Sequence, residues 1–207
     1  AVVNEIDPPW KRFQEDFTKT EKALLLAPKQ QLEERKTGAS EVAIKRLRAQ
    51  TRQLDRNIEL IQKRSAKIEQ IWIEALKRAD RCMTCHSGVE KPLFAQHKGA
   101  FVKHPSDFLK THPPKKFGCT LCHDGDGLGL TVSSGHGQEV HWNRPLLSGE
   151  LVQSSCRRCH SYNERIPRHI AFPQAPALSR GKNLYVEKGC RGCHELAGFK
   201  RPESIAP

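Results

Sequence analysis

Cysteine and histidine recur together in four places: Cys82-Met83-Thr84-Cys85-His86, Cys119-Thr120-Leu121-Cys122-His123, Cys156-Arg157-Arg158-Cys159-His160 and Cys190-Arg191-Gly192-Cys193-His194. All eight cysteines of the chain lie in these motifs. On a helical turn residues i and i+3 share a face and i+4 lies beside them, so both sulfurs and the imidazole of one motif can reach a single flat ligand. This is the attachment signature of c-type haem, in which two thiols bond covalently to the porphyrin and the adjacent histidine becomes an axial iron ligand. The expectation is four covalently bound haem c groups. They would be tethered by Cys82, Cys85, Cys119, Cys122, Cys156, Cys159, Cys190 and Cys193, with iron held by His86, His123, His160 and His194.

Paired cysteines also serve zinc sites, redox dithiols and disulfide frameworks. None of these requires a histidine directly after the second cysteine. With 10 histidines in 207 residues, four such placements by chance have a probability of roughly 1 in 100,000.

A haem that only passes electrons is usually six-coordinate, whereas one that binds a substrate keeps a position open, so the second axial ligands carry the functional question. The single methionine, Met83, sits inside the first motif and reads as packing. Six histidines lie outside the motifs: His97, His104, His112, His136, His141 and His169. The prolines after His104 and His112 bias those residues toward extended backbone and stiffen their loops, which lowers the entropy lost on closing over iron. Glycines on both sides of His136 let the backbone approach a porphyrin face. His104, His112 and His136 are therefore the expected distal ligands. His141, beside Trp142, reads as a ligand or as packing at a haem edge, and nothing around His97 or His169 singles them out.

Bis-histidine ligation places a haem toward the low end of the cytochrome c potential range. The third motif encloses Arg157 and Arg158 and the fourth encloses Arg191, so the later haems are expected to lie higher in potential.

Residues 1–80 contain no cysteine or histidine, and residues 81–207 contain all of both. In the second part about 32 residues serve each haem, too few for an ordinary core, so the macrocycles must supply much of it. The net charge of +12 raises the question of nucleic acid, but residues 81–207 carry 18 Lys/Arg against 10 Asp/Glu. Four haems would add roughly eight propionates to offset that surplus. No nucleic-acid recognition motif accompanies the charge, so nucleic acid is not an expected partner. No run of about 20 apolar residues offers a transmembrane segment. The start at Ala1, without methionine, suggests a processed or incomplete chain.

Residues 10–27 read as a helix with Phe13, Phe17 and Leu24 on one face, ended by Pro28. The chain turns at Thr37-Gly38-Ala39-Ser40, with Ser40 as N-cap and Glu41 in the first turn. From there Ile44, Leu47, Thr51, Leu54, Ile58, Ile61, Ser65, Ile68, Trp72, Ala75 and Ala79 form a heptad seam, predicting one helix of roughly 55–60 Å running into the first motif. Either an antiparallel hairpin with residues 10–36 or a partner helix must cover it. The fold expected is mainly α with extensive loops and little or no sheet. It divides into a helical arm or coiled-coil hairpin over 1–80, a haem-packed trihaem region over 81–175 and the start of a monohaem module over 176–207.

Residues 181–199, from Gly181-Lys182-Asn183-Leu184-Tyr185 through Gly189-Cys190 and His194 to Gly198-Phe199, resemble the opening of a class I cytochrome c. In that family the distal methionine lies well downstream, which would put it beyond Pro207; the alternatives are an upstream or partner histidine, or an open site. A second resemblance rests on Asp80-Arg81-Cys82, His104-Pro105, His112-Pro113, Phe117-Gly118-Cys119, Gly125-Asp126-Gly127, His136-Gly137, His141-Trp142 and Ser155-Cys156. Together with the four motifs, these residues make positions 68–207 similar to bacterial multihaem c-type cytochromes that accompany membrane respiratory, quinol-oxidising cytochrome b complexes. That resemblance implies a periplasmic or other extracytoplasmic place and redox protein partners in a respiratory or photosynthetic membrane-associated complex. The activity implied is relay of single electrons, with no catalytic chemistry of the chain's own. The alternatives are a multihaem reductase or oxidase acting at one open haem, and a structural subunit whose haems serve assembly.

Overall fold

The computed structural model describes residues 8–74, 77–160 and 175–196. Two long helices come first, α1 (Pro9–Glu34) and α2 (Glu41–Gln62). Pro9 is well placed at the start of α1, where its missing N–H costs nothing. Ser40 caps α2 as anticipated, its hydroxyl accepting from the Ala43 N–H at 3.4 Å, with Glu41 in the first turn. The intervening turn uses Gly38 at φ +77°.

Two expectations about this arm are corrected. Pro28 does not end the first helix, which continues to Glu34. The lost backbone bond is tolerated because α1 lies along α2, where Lys29 pairs with Asp55 at 2.5 Å. The seam also does not continue as one helix to Asp80: α2 ends at Gln62, about 33 Å from its start. Leu47, Thr51, Ile58 and Ile61 are buried in the hairpin, whereas Ile68 and Trp72 are exposed. Beyond Gln62 the chain meets Lys63, Arg64 and Ser65, and Arg64 turns back to bind Glu21 of α1 at 2.7 Å. That tertiary bond and the polar stretch outweigh continued helical periodicity. Ala75 of the proposed seam lies outside the described residues.

The chain then makes an antiparallel ribbon of β1 (Ile71–Ile73) and β2 (Arg78–Asp80), with Ile71 opposite Asp80 and Ile73 opposite Arg78. Short helices follow among loops: α3 (Phe108–Thr111), α4 (Pro114–Phe117), α5 (Thr120–His123) and α6 (Val132–Gly135), then α7 (Pro176–Glu187). The protein is thus mainly helical with extensive loops and one small ribbon. No helix among the described residues is long and apolar enough to cross a membrane.

The arm is bound to the second part of the chain rather than free of it. Phe17 of α1 stacks on Phe94 at 4.9 Å and meets Phe101 edge-on at 5.4 Å, with Phe13, Leu24 and Ala100 packed around them. Gln14 donates to the Thr84 carbonyl and, at 3.1 Å, to the Ser87 hydroxyl, both in or beside the first motif. Glu21, 5% exposed, binds Lys91 at 2.7 Å as well as Arg64. One face of α1 therefore braces the first motif and the loops after it.

Candidate functional site

All four motifs close the same one-turn loop. The histidine N–H donates to the carbonyl of the first cysteine at 3.0 Å in His86, and at 2.9 Å in His123, His160 and His194. The second cysteine N–H reaches the same carbonyl at 3.1–3.4 Å in each motif. This loop sets the two thiols and the imidazole side by side, and all eight thiols are unpaired.

Among the described residues there are three contacts between imidazoles, and each joins one motif histidine to one histidine outside the motifs. His86 faces His136 with ring centres 6.2 Å apart, His123 faces His104 at 6.4 Å, and His160 faces His112 at 6.0 Å. The planes meet at 23°, 79° and 73° respectively. Two imidazoles sharing one metal, each at a bond of about 2 Å, have ring centres about 6 Å apart. All three separations fit that span.

Four of the six rings turn Nδ1 toward a neighbouring protein group. Nδ1 of His86 lies 3.0 Å from the Ala100 carbonyl and Nδ1 of His123 lies 3.4 Å from the Leu147 carbonyl. Nδ1 of His104 contacts the Ser106 hydroxyl at 3.1 Å, and Nδ1 of His112 contacts the Thr111 hydroxyl at 2.9 Å. A carbonyl that takes the Nδ1 proton fixes the tautomer and leaves Nε2 unprotonated, which is how a protein prepares histidine to bind metal. Burial pushes the His86 and His123 imidazoles below their ordinary value and so toward that neutral form.

The segments that supply the facing histidines cross over. His104 and His112 come from the stretch between the first and second motifs, yet His112 faces the histidine of the third. His136 comes from the stretch after the second motif and faces the histidine of the first. One stretch, between the first and second motifs, supplies the facing histidines of both the second and the third.

Direct bonds join the motifs in chain order. Between the first and second stands Asp80, whose carboxylate lies with the Cys82 and Cys119 sulfurs within 4.8 Å. Three such groups could suggest a small metal site. However, one Asp80 oxygen already accepts from the Cys119 N–H, the Thr120 N–H and the Thr120 hydroxyl at 2.8, 2.8 and 3.0 Å. The other accepts from the Cys82 N–H at 3.0 Å. The first oxygen's lone pairs are fully used, so the cluster reads as a clamp between two motifs. Between the second and third motifs the Ser155 hydroxyl donates to the Cys122 carbonyl at 2.6 Å, and Arg158 donates to the Leu121 carbonyl and to Asp124, both at 2.5 Å.

The remaining histidines behave differently. His97 packs against the Phe94 and Phe101 rings at 5.6 and 5.8 Å and faces no motif histidine. His141 is exposed, while Trp142 covers Gly137 and donates to the Arg144 carbonyl at 2.8 Å. His169 and residues 197–207, including Gly198-Phe199, lie outside the described residues. The fourth motif is the most open, with Cys190 and Cys193 exposed. It follows α7, whose first N–H groups are capped by Gln153 of the third motif's helix at 2.8 and 3.2 Å. No second imidazole faces His194 among the described residues.

Comparison with known proteins finds no matching family, no matching curated protein and no matching solved structure.

Proposed function

We propose that the chain is an extracytoplasmic tetrahaem c-type cytochrome that relays single electrons between redox partners of a membrane-associated respiratory or photosynthetic complex. The observation that carries this reading is the one-to-one facing of motif and non-motif histidines at 6.0–6.4 Å, independent of the cysteine spacing that first suggested haem. When bound, haem c supplies a one-electron ferric/ferrous couple.

The chain's own residues then have separate tasks. Cys82 and Cys85, Cys119 and Cys122, Cys156 and Cys159, and Cys190 and Cys193 tether the groups. His86 with His136, His123 with His104, and His160 with His112 would hold iron, and with two imidazoles engaged each of these three sites would exclude exogenous ligands. The Asp80 clamp and the Ser155 and Arg158 bonds fix the motifs in the order first, second, third. A fixed array of closed sites suits passage of electrons and leaves no room for substrate at iron.

The fourth site is set apart, following the resemblance to a class I module whose distal ligand lies downstream. It is also where the reductase or oxidase alternative would reside. The test is pyridine haemochrome analysis with intact mass on protein matured by a c-type haem attachment system. Four covalent haems per chain are expected, and a chain with none would overturn the reading. Carbon monoxide added to the reduced protein separates the alternatives: near-complete inertness is expected of the relay, whereas one full equivalent bound at the fourth haem would favour the reductase or oxidase.

A further inference from the structure

Asp80 is fully buried, at the end of β2, and the hydrogen bonds of its carboxylate go to the first two motifs. Its partners are the Cys82, Cys119 and Thr120 N–H groups and the Thr120 hydroxyl. These are dipoles, and no lysine or arginine pairs with this carboxylate among the ion pairs of the described residues. Burial alone would raise the Asp80 carboxyl, but the Thr120, Cys119 and Cys82 N–H groups outweigh it and hold the group below its ordinary value. The pocket is shaped for this acid. Gly118 has φ +63°, and a Cβ there would lie 2.9 Å from the Asp80 oxygen and 2.3 Å from the Ile73 side chain.

The next junction has the opposite sign. Asp124, beside His123, is bracketed by Arg144 at 2.8 Å and Arg158 at 2.5 Å, two guanidiniums against one carboxylate. Arg158 is thus partly neutralised, so its charge alone does not set the third site apart, as its place in the sequence suggested.

We propose that Asp80 is a fixed anion shared by the first two haem sites, holding both at lower reduction potential than the third and so directing electrons from the first pair toward it. The proposal rests on the haem reading above. A negative charge locked beside two attachment points favours the more positive ferric state at each. Cys82 and Cys119 share this carboxylate, so one residue acts on both sites at once.

The experiment is a spectropotentiometric titration of matured protein, Asp80→Asn against the parent, with haem content counted first by pyridine haemochrome. Two of the four potentials should rise together by about 59 mV, a tenfold change in each one-electron equilibrium, while the other two stay in place. Four haems with unshifted potentials would overturn the proposal. A haem count of zero in the parent would instead overturn the function on which it rests.

Thr120→Val separates charge from structure: it removes one hydrogen bond to Asp80 and keeps the anion. Stability should fall with potentials unchanged, and equal shifts in both variants would show that Asp80 acts only through packing. Should Asp80→Asn fail to accumulate, redox-poised electron paramagnetic resonance of the unaltered protein decides. The first site, identified by its near-parallel imidazoles at 23°, should be reduced after at least one of the two sites whose imidazoles are near-perpendicular. Its reduction before both of them would overturn the proposal.

Discussion

Replacing His136 by alanine tests the crossed assignment of ligands, because His136 lies 50 residues beyond His86 and closer in sequence to the second and third motifs. The backbone around it does not depend on the imidazole: the His136 N–H bonds the Val132 carbonyl at 3.0 Å, and its carbonyl accepts from the Leu146 N–H at 2.9 Å. The loop should keep its place, and the loss should fall on one iron. Carbon monoxide titration of the reduced variant should then end one equivalent per chain above the parent. His86→Ala/His136→Ala should perturb that same single haem, since the two ring centres lie 6.2 Å apart, the span of two imidazoles on one iron. His123→Ala/His136→Ala should perturb two. The interaction within a pair follows the logic of double-mutant cycles, in which partners in one contact are not additive and distant sites are. If His136→Ala bound no extra carbon monoxide, or if the first double variant opened two haems, the assignment would be refuted.

Further outcomes follow from the packing. Phe17→Ala removes a ring that is 2% exposed and stacked on Phe94, so it should cost about 3–5 kcal/mol and free α1 for proteolysis, read by thermal unfolding and limited digestion. Glu21→Ala strands Arg64 and Lys91 and should cost about 2 kcal/mol, measured the same way. Gly118→Ala combines a strained φ of +63° with contact against Ile73 and Asp80, so yields of fully loaded protein should fall, seen by intact mass.

Much of the geometry around the motifs was legible because Cys-x-x-Cys-His spacing involves residues that are close in sequence. The one-turn loop follows from Cys-x-x-Cys-His spacing, and the prolines and glycines beside His104, His112 and His136 marked the histidines that face the motifs. Which histidine faces which motif was not legible. Nothing local to His112 says that its loop reaches His160, since that contact joins residues 48 apart in the chain. The heptad seam misled for the same reason: periodicity reports one face of a helix and cannot report that the chain turns at Lys63 so that Arg64 can reach Glu21. Pro28 misled because helix packing outweighed a local breaker. Asp80 entered the sequence reading only through the family resemblance. The signal that could have found its role is an aspartate two residues ahead of the first motif cysteine, placed to cap the turn that begins there.

The most direct test is electron paramagnetic resonance of the oxidised, fully loaded protein, because the g-anisotropy of a low-spin ferric haem depends on the angle between its axial imidazoles. The structure predicts one rhombic signal from the near-parallel His86 and His136 at 23°, and two strongly anisotropic low-field signals from the pairs at 79° and 73°. High-spin iron at the first three motifs, or three identical rhombic signals there, would contradict it.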